Sequence, residues 1–325
     1  IPGRKSDQEQ HAAYVFQPTF DPTSRFALPD ASRAVRPDAD GAIGYEFQMT
    51  AGAGNMTLYA LAGIENRSVV PPTFIAYAFG VVHGVSTKPG ELTSDVYIQM
   101  NKSLDQAVVL AAVPPLPGPK GPDRLLASVS IQLGVDRYAI VPSSTRTVPL
   151  AATGSITFVG LPGLDGSLTG ASYVSSAKAV TGANLGAPLS IVGKYRTADA
   201  SLPVRIVGFV QVPVLTEPSA GEPFDGRHLA VTYAPAGATV DVTVFHVDAG
   251  SGMMAWLVVA PGNKTSIELP DLDALGVGLP RGPISISVYG GHIEDDGFDF
   301  GTLLYRHTEP RGWAAYAQDV FNTYY

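Results

Sequence analysis

The chain has 325 residues, 45 % of them hydrophobic and 15 % charged, with a formal net charge of −8. That length and composition predict a globular body of two or three domains and exclude a disordered chain; the acidic balance without any Lys/Arg run argues against nucleic acid and anionic membrane as partners. There is no cysteine, which excludes disulfides, thiolate catalysis, zinc–thiolate sites and iron–sulfur clusters. Gly, Pro or polar residues break every apolar run before the roughly 18 to 20 residues a membrane-spanning helix requires.

The 35 Gly and 27 Pro fall between short runs of Val, Ile, Leu, Tyr and Phe. Glycine permits positive φ in turns and proline stops a ladder, so this punctuation predicts an all-β chain of tandem β-sandwich domains. Residues 1–40 read as an N-terminal arm, 41–115 as a first sandwich, 116–218 as a second β-region or a continuation of the first, and 219–325 as a C-terminal sandwich. The opening Ile1-Pro2-Gly3, without Met, predicts a processed or trimmed chain. An acidic, Lys-poor, strand-rich composition predicts an exported protein at the cell surface, outside the cell or in a periplasm.

In the arm, Ala12 to Phe20 has strand composition between polar Arg4–Gln10 and Pro22. It is expected either to fold onto its own domain or to be lent to a second copy, giving a homo-oligomer or filament. Strands are then expected at Ile43–Met49, Met56–Leu61, Thr73–Ser86, Ser94–Met100 and Ala107–Val113. The order Tyr45-Glu-Phe, Leu58-Tyr-Ala-Leu-Ala-Gly63, Gly84-Val85, Pro89-Gly90 and Asp95-Val-Tyr-Ile is similar to the later strands of transthyretin-like, carboxypeptidase-regulatory-type domains. That resemblance implies a small β-sandwich and no particular activity.

The tract Pro114 to Pro122 is a linker or a long loop. Beyond it, strands are expected at Leu125–Leu133, Tyr138–Val141, Ser155–Val159, Tyr173–Val180, Leu189–Tyr195 and Val204–Val212. A second connector, Thr216 to Pro223, precedes the cleanest period-two patterning, at Leu229/Val231/Tyr233, Val240/Val242/Val244 and Ile284/Ile286/Val288. Trp256–Ala260, Thr265–Leu269 and Phe300–Arg306 complete six strands. The tail Trp313 to Tyr325 fits a helical face by spacing, but its Trp, Tyr, Val, Phe and Thr favour a seventh strand. From Asp225 onward, Leu-Ala-Val-Thr-Tyr, Asp-Val-Thr-Val, Trp256 and Ile267-Glu-Leu-Pro270 resemble a fibronectin-III or immunoglobulin-like module. The whole arrangement is similar to cell-surface lipoproteins of predatory and social soil bacteria, although Ile1 stands where their lipidated cysteine would be.

Candidate chemistry is sparse. His292, Glu294, Asp295, Asp296 and Asp299 cluster around Gly297, and hard carboxylate oxygens there would suit Ca²⁺, with the imidazole adding a Zn²⁺ or Mn²⁺ preference. The alternative is a solvated acidic loop. Ser175-Ser-Ala-Lys178 has the Ser-x-x-Lys spacing, but in a strand-like stretch without partner motifs. No Gly-x-Ser-x-Gly elbow is present. Asn55, Asn66, Asn101 and Asn263 stand in glycosylation sequons, and Tyr289, Tyr316, Tyr324 and Tyr325 are candidate aromatics for a glycan or a cell-surface protein. These features together predict a non-enzymatic structural, adhesive or assembly protein with no cofactor, and in second place a metal-dependent carbohydrate binder or hydrolase using loop 292–299.

Overall fold

The structure, a computed structural model, describes residues 3–4, 6–36, 53–150, 154–250, 254–272, 275–276, 278–293, 298–304, 308, 310 and 313–325. Nineteen strands run through these residues without an α-helix. The first four are β1 (Glu9–Phe16), β2 (Gly54–Asn66), β3 (Thr73–Thr87) and β4 (Lys102–Ser103), which pair antiparallel in sequence order. There follow β5 (Gln106–Ala112), β6 (Arg124–Gly134), β7 (Arg137–Ala139), β8 (Thr145–Pro149), β9 (Ser155–Leu161), β10 (Ser172–Thr181), β11 (Gly186–Thr197) and β12 (Val204–Ile206). The last are β13 (Val214–Glu217), β14 (His228–Thr232), β15 (Val242–Ala249), β16 (Met254–Pro261), β17 (Ser266–Glu268), β18 (Pro283–His292) and β19 (Ala315–Tyr324).

One nine-stranded sheet forms the spine, in the order β16-β15-β18-β19-β11-β10-β6-β7, with β8 also paired to β6. Two three-stranded sheets, β12-β5-β9 and β13-β14-β17, complete the set. The larger core gathers Tyr14, Tyr59 and Leu61 of the first sheet, Val108, Leu110 and Phe158 of the β5/β9 sheet, and Leu125, Ala127, Val129 and Ile131 of β6. A smaller core joins Leu229 and Val231 of β14 to Phe245, Val247, Ile286 and Val288 of the spine. Each core is thus sheet against sheet, as period-two strands require.

The spine takes strands from both sides of residues 216–225: β11 pairs with β19 in the register Leu189↔Gln318 to Val192↔Ala315. The tail is therefore a strand, and an interior one, since its other edge pairs with β18 over ten residues from Pro283↔Tyr324 to His292↔Ala315. Its buried row, Ala315 and Ala317, faces the larger core. The N-terminal strand expected from Ala12 starts earlier, at Glu9, and pairs with β2 of its own chain. Its outer edge is closed at Ala13 by reciprocal backbone bonds with Val35, at 2.9 and 2.8 Å.

Among the described residues two expected strands are absent and a third is cut short, each for a visible reason. Residues 94–100 have no ladder; Val96, Ile98 and Met100 instead lie over the outer face of the first sheet, against Val15, Leu58, Ala60 and Val85. Alternation there is satisfied by packing on a face, and the crossing is so close that a Cβ on Gly80 would stand 2.6 Å from the Gln99 carbonyl. The stretch from Val204 stops as a strand at Ile206, before Gly208 turns the backbone at φ +87°. Phe300–Thr302 forms a 3-10 turn, with Asp299 accepting from Gly301 N at 2.9 Å. The expected strand at Ile43–Met49 lies outside the described residues.

The junction between β11 and β19 depends on Gly193. Its N–H donates to the Ala314 carbonyl at 2.6 Å, and a Cβ there would meet the same oxygen at 2.5 Å. Gly193→Val should destabilise the chain by about 1–3 kcal/mol through forced separation of the two strands. Gly186→Ala, where a Cβ would meet nothing within 4 Å, should stay within about 0.5 kcal/mol. Urea unfolding of both variants beside the wild type measures the difference, and equal midpoints would show that the junction tolerates a side chain.

Candidate functional site

The acidic loop is anchored at the end of β18. His292 Nδ1 lies 2.8 Å from Asp241 Oδ2, and the same oxygen accepts Ile293 N at 2.8 Å. Both side chains are half-buried. Asp299 turns its carboxylate onto its own 3-10 turn, while Glu294, Asp295 and Asp296 lie outside the described residues. Among the described residues no three His, Asp or Glu side chains are grouped so as to hold a metal ion. His246 is carried away from His292: it pairs with Ser287, five residues before His292 on β18, about 17 Å along the strand.

Strand geometry also separates Ser175 from Lys178. Both are on β10, three residues apart, and an odd spacing in a strand sends the two side chains to opposite faces. Ser175 is fully buried opposite Val129, while Lys178 stands opposite Leu126. Of the four candidate aromatics, Tyr324 alone is open to solvent, at 66 % exposure. Tyr289 accepts a hydrogen bond from Gln318 Nε2 at 3.0 Å and lies against His246, with burial raising its pKa. Tyr316 packs edge-on to Trp313, and Tyr325 holds the Arg281 guanidinium 4.1 Å above its ring.

The densest polar cluster lies elsewhere, at a residue that the sequence reading passed over. Glu65, near the end of β2, is only 2 % exposed. Its carboxylate receives the Tyr14 hydroxyl, an Arg36 guanidinium nitrogen, and Arg67 Nε at 3.1 Å. Arg67 donates further to Tyr14 Oη at 2.7 Å and to the Pro29 carbonyl at 2.8 Å. Two guanidiniums compensate one buried carboxylate, and the donors come from β1, from the loop after it and from the β2–β3 turn. Burial first, and then the hydrogen bond to Glu65, push the Tyr14 pKa up; the bond to Tyr14 raises that of Arg67. With donors converging on it from three residues, Glu65 serves as a clasp for the N-terminal segment. The sequence signal was present: one acidic residue at the end of an otherwise apolar Leu-Ala-Gly-Ile-Glu run.

A cavity of about 750 Å³ opens between the first sheet and the covering segment 97–103, with Ala13, Ala60, Ala62 and Ala78 leaving the room and Tyr77 and Met100 bounding it. Lys102, also at its wall, is tied to Asp165 at 2.8 Å. The volume suits a small molecule; the wall combines the alanine methyls with Tyr77, Tyr97, Asn101, Lys102 and Ser103.

No family model matches the chain, and no curated protein matches it. Among solved structures, it is similar to the tetra-tandem repeat in the extending region of a large adhesion protein, at 12 % identity and a TM-score of 0.21, over 98 % of this chain and 67 % of that one. A TM-score that low does not define a common fold.

Two measurements test the electrostatics. Glu65→Ala leaves two guanidiniums and a phenol without their acceptor and should cost about 1–3 kcal/mol in urea unfolding; a loss below about 0.5 kcal/mol would show that the clasp is dispensable. Asp319 on β19 is buried and accepts only the Val320 N–H, at 2.7 Å, among its described hydrogen bonds, and burial raises its pKa. A carboxyl whose folded pKa is raised favours the fold while protonated and loses that contribution as pH rises through its folded value. Asp319→Asn should therefore raise the melting temperature at pH 7 more than at pH 4, and the opposite ordering would contradict this environment.

Proposed function

We propose that the chain is a non-enzymatic β-sandwich module of an exported cell-surface protein, with a structural or adhesive role. The observation that carries this reading is the use made of its polar residues. Glu65 and its two arginines bind the N-terminal segment to the sheet, His292 and Asp241 fasten a loop to a strand end, His11 meets Tyr77 and His83 meets Thr57. These groups are engaged with neighbouring side chains and backbone of the same chain, and the nine-stranded spine ties the two cores into one body. Surface contact is then made by sheet edges and loops.

Exchange of β1 between copies is the finer form of this role. It would re-form the Glu65 clasp between two chains, at the same cost in each closed partner. Loop 292–299 keeps the second reading, a metal-dependent glycan binder, favoured by the His292–Asp241 pair at its base. Protease treatment of intact source cells tests the first part: the chain should be digested without lysis, and protection until lysis would overturn surface placement. Calorimetry with Ca²⁺ and Zn²⁺ tests the second: the structural reading expects no saturable heat, whereas binding abolished by Asp295→Ala and Asp299→Ala would replace it with the metal reading.

A further inference from the structure

The edges of the sheets differ sharply in how they are closed. β4, β12, β13 and β17 have between two and four residues, β8 carries Arg146 and Pro149, and β1 is bonded to Val35. β9 is covered in part by Ser143, whose hydroxyl bonds the Val159 carbonyl, and its ladder shifts register at Gln106/Ala107. β16 is the exception. It is an eight-residue edge strand, Met-Ala-Trp-Leu-Val-Val-Ala-Pro, with no charged residue and with proline only at its end. Edge strands of this length are ordinarily guarded by charge, bulge or cover.

The ladder itself says which backbone groups are unused. Gly262 N donates to the Asp241 carbonyl at 2.9 Å, one step beyond the Val242↔Pro261 pair. In an antiparallel ladder hydrogen-bonded and non-bonded pairs alternate, so the pairs at Ala260 and Val258 are bonded to β15 and those at Val259 and Leu257 are not. The register is unbroken over these residues. The N–H and C=O groups of Leu257 and Val259 therefore point away from the sheet. Pro261, which has no N–H to offer, occupies the same outward class of position.

We propose that β16 is the interface between two copies of this chain, which join by antiparallel pairing of β16 with itself about a two-fold axis at Val258. In that register Leu257 of each copy faces Val259 of the other, and each such pair exchanges two backbone hydrogen bonds. The four outward groups of Leu257 and Val259 are thereby used in each strand. Side-chain chemistry agrees. Residues 257 and 259 share a face, and Leu257, 41 % exposed in the single chain, would cover Val259 of the second copy. Trp256 and Val258 remain packed against the smaller core. The pairing joins two nine-stranded spines edge to edge and is isologous, so it closes at a dimer. It uses a different part of the chain from β1 exchange and does not depend on it.

Sedimentation of the full chain decides the matter. The mass should rise from 34.0 kDa toward twice that value over about 1–100 μM protein. Val259→Pro removes an outward N–H without touching a bond to β15, and Leu257→Lys places a charge on the edge; both should hold the mass at the monomer value with an unchanged far-ultraviolet spectrum. Leu257→Lys retains every backbone donor, so it carries the test if the proline variant misfolds. A wild-type chain that stays monomeric throughout would overturn the proposal. So would doubling that persists in folded Leu257→Lys, because the contact would then lie elsewhere, as in exchange of β1.

Discussion

The double ladder of β19 is the constraint on which the rest of the structure depends. This terminal strand pairs with β18 along ten residues and with β11 along four, so the strands before residue 216 and those after 225 become one sheet. Its alanines at 315 and 317 are small because the larger core lies directly beneath them, and Gly193 is bare because the strand crosses it at bonding distance. Remove this strand from the spine and each half keeps its local hairpins but loses a shared edge. The two cores would then be separate sandwiches with exposed ladders.

Polar chemistry is subordinate to the same end. A buried carboxylate in a β-protein is costly unless it is fully compensated, and Glu65 is compensated by residues that come from three different pieces of chain. The cluster therefore stabilises one arrangement of the N-terminal segment among many. The His292–Asp241 contact does the same for a loop at the far end of the spine. In both cases the hydrogen-bonding capacity of the group is directed at a neighbour in the chain.

Edges, rather than faces, distinguish the molecule. Faces of the spine are covered by the first sheet and by two small sheets, while the ends of the ladders, β16 excepted, are closed one by one with short strands, charge or cross-bonds. The segment 94–100 shows how context decides: its alternating apolar residues could have made an edge strand, yet they cover the face of β2 and β3 instead. Alternation specifies that one side is buried. It does not specify whether the backbone finds a ladder.

Fold class was legible in the chain because its signals are local: Gly and Pro end strands by φ and by a missing donor, and period-two runs such as Ile284/Ile286/Val288 report a half-buried strand wherever they occur. The tail was legible as a strand for the same reason, from its β-branched and aromatic residues, though helical spacing competed. The candidate sites were legible only as residue types. Ser175 and Lys178 look close in sequence, and the pleat sends them to opposite faces; His246 and His292 share a module, and the β15/β18 register sets His246 in mid-ladder opposite Ser287, five residues from His292. Nothing local could reveal that Glu65 would meet Arg36, 29 residues upstream, or that β19 would insert between strands from both halves. Sequence by itself determined where strands begin, end and bury a side. Which strands become neighbours, and hence which polar groups meet, was decided by tertiary structure alone, because strand pairing joins residues of any separation and leaves no periodic mark in either partner.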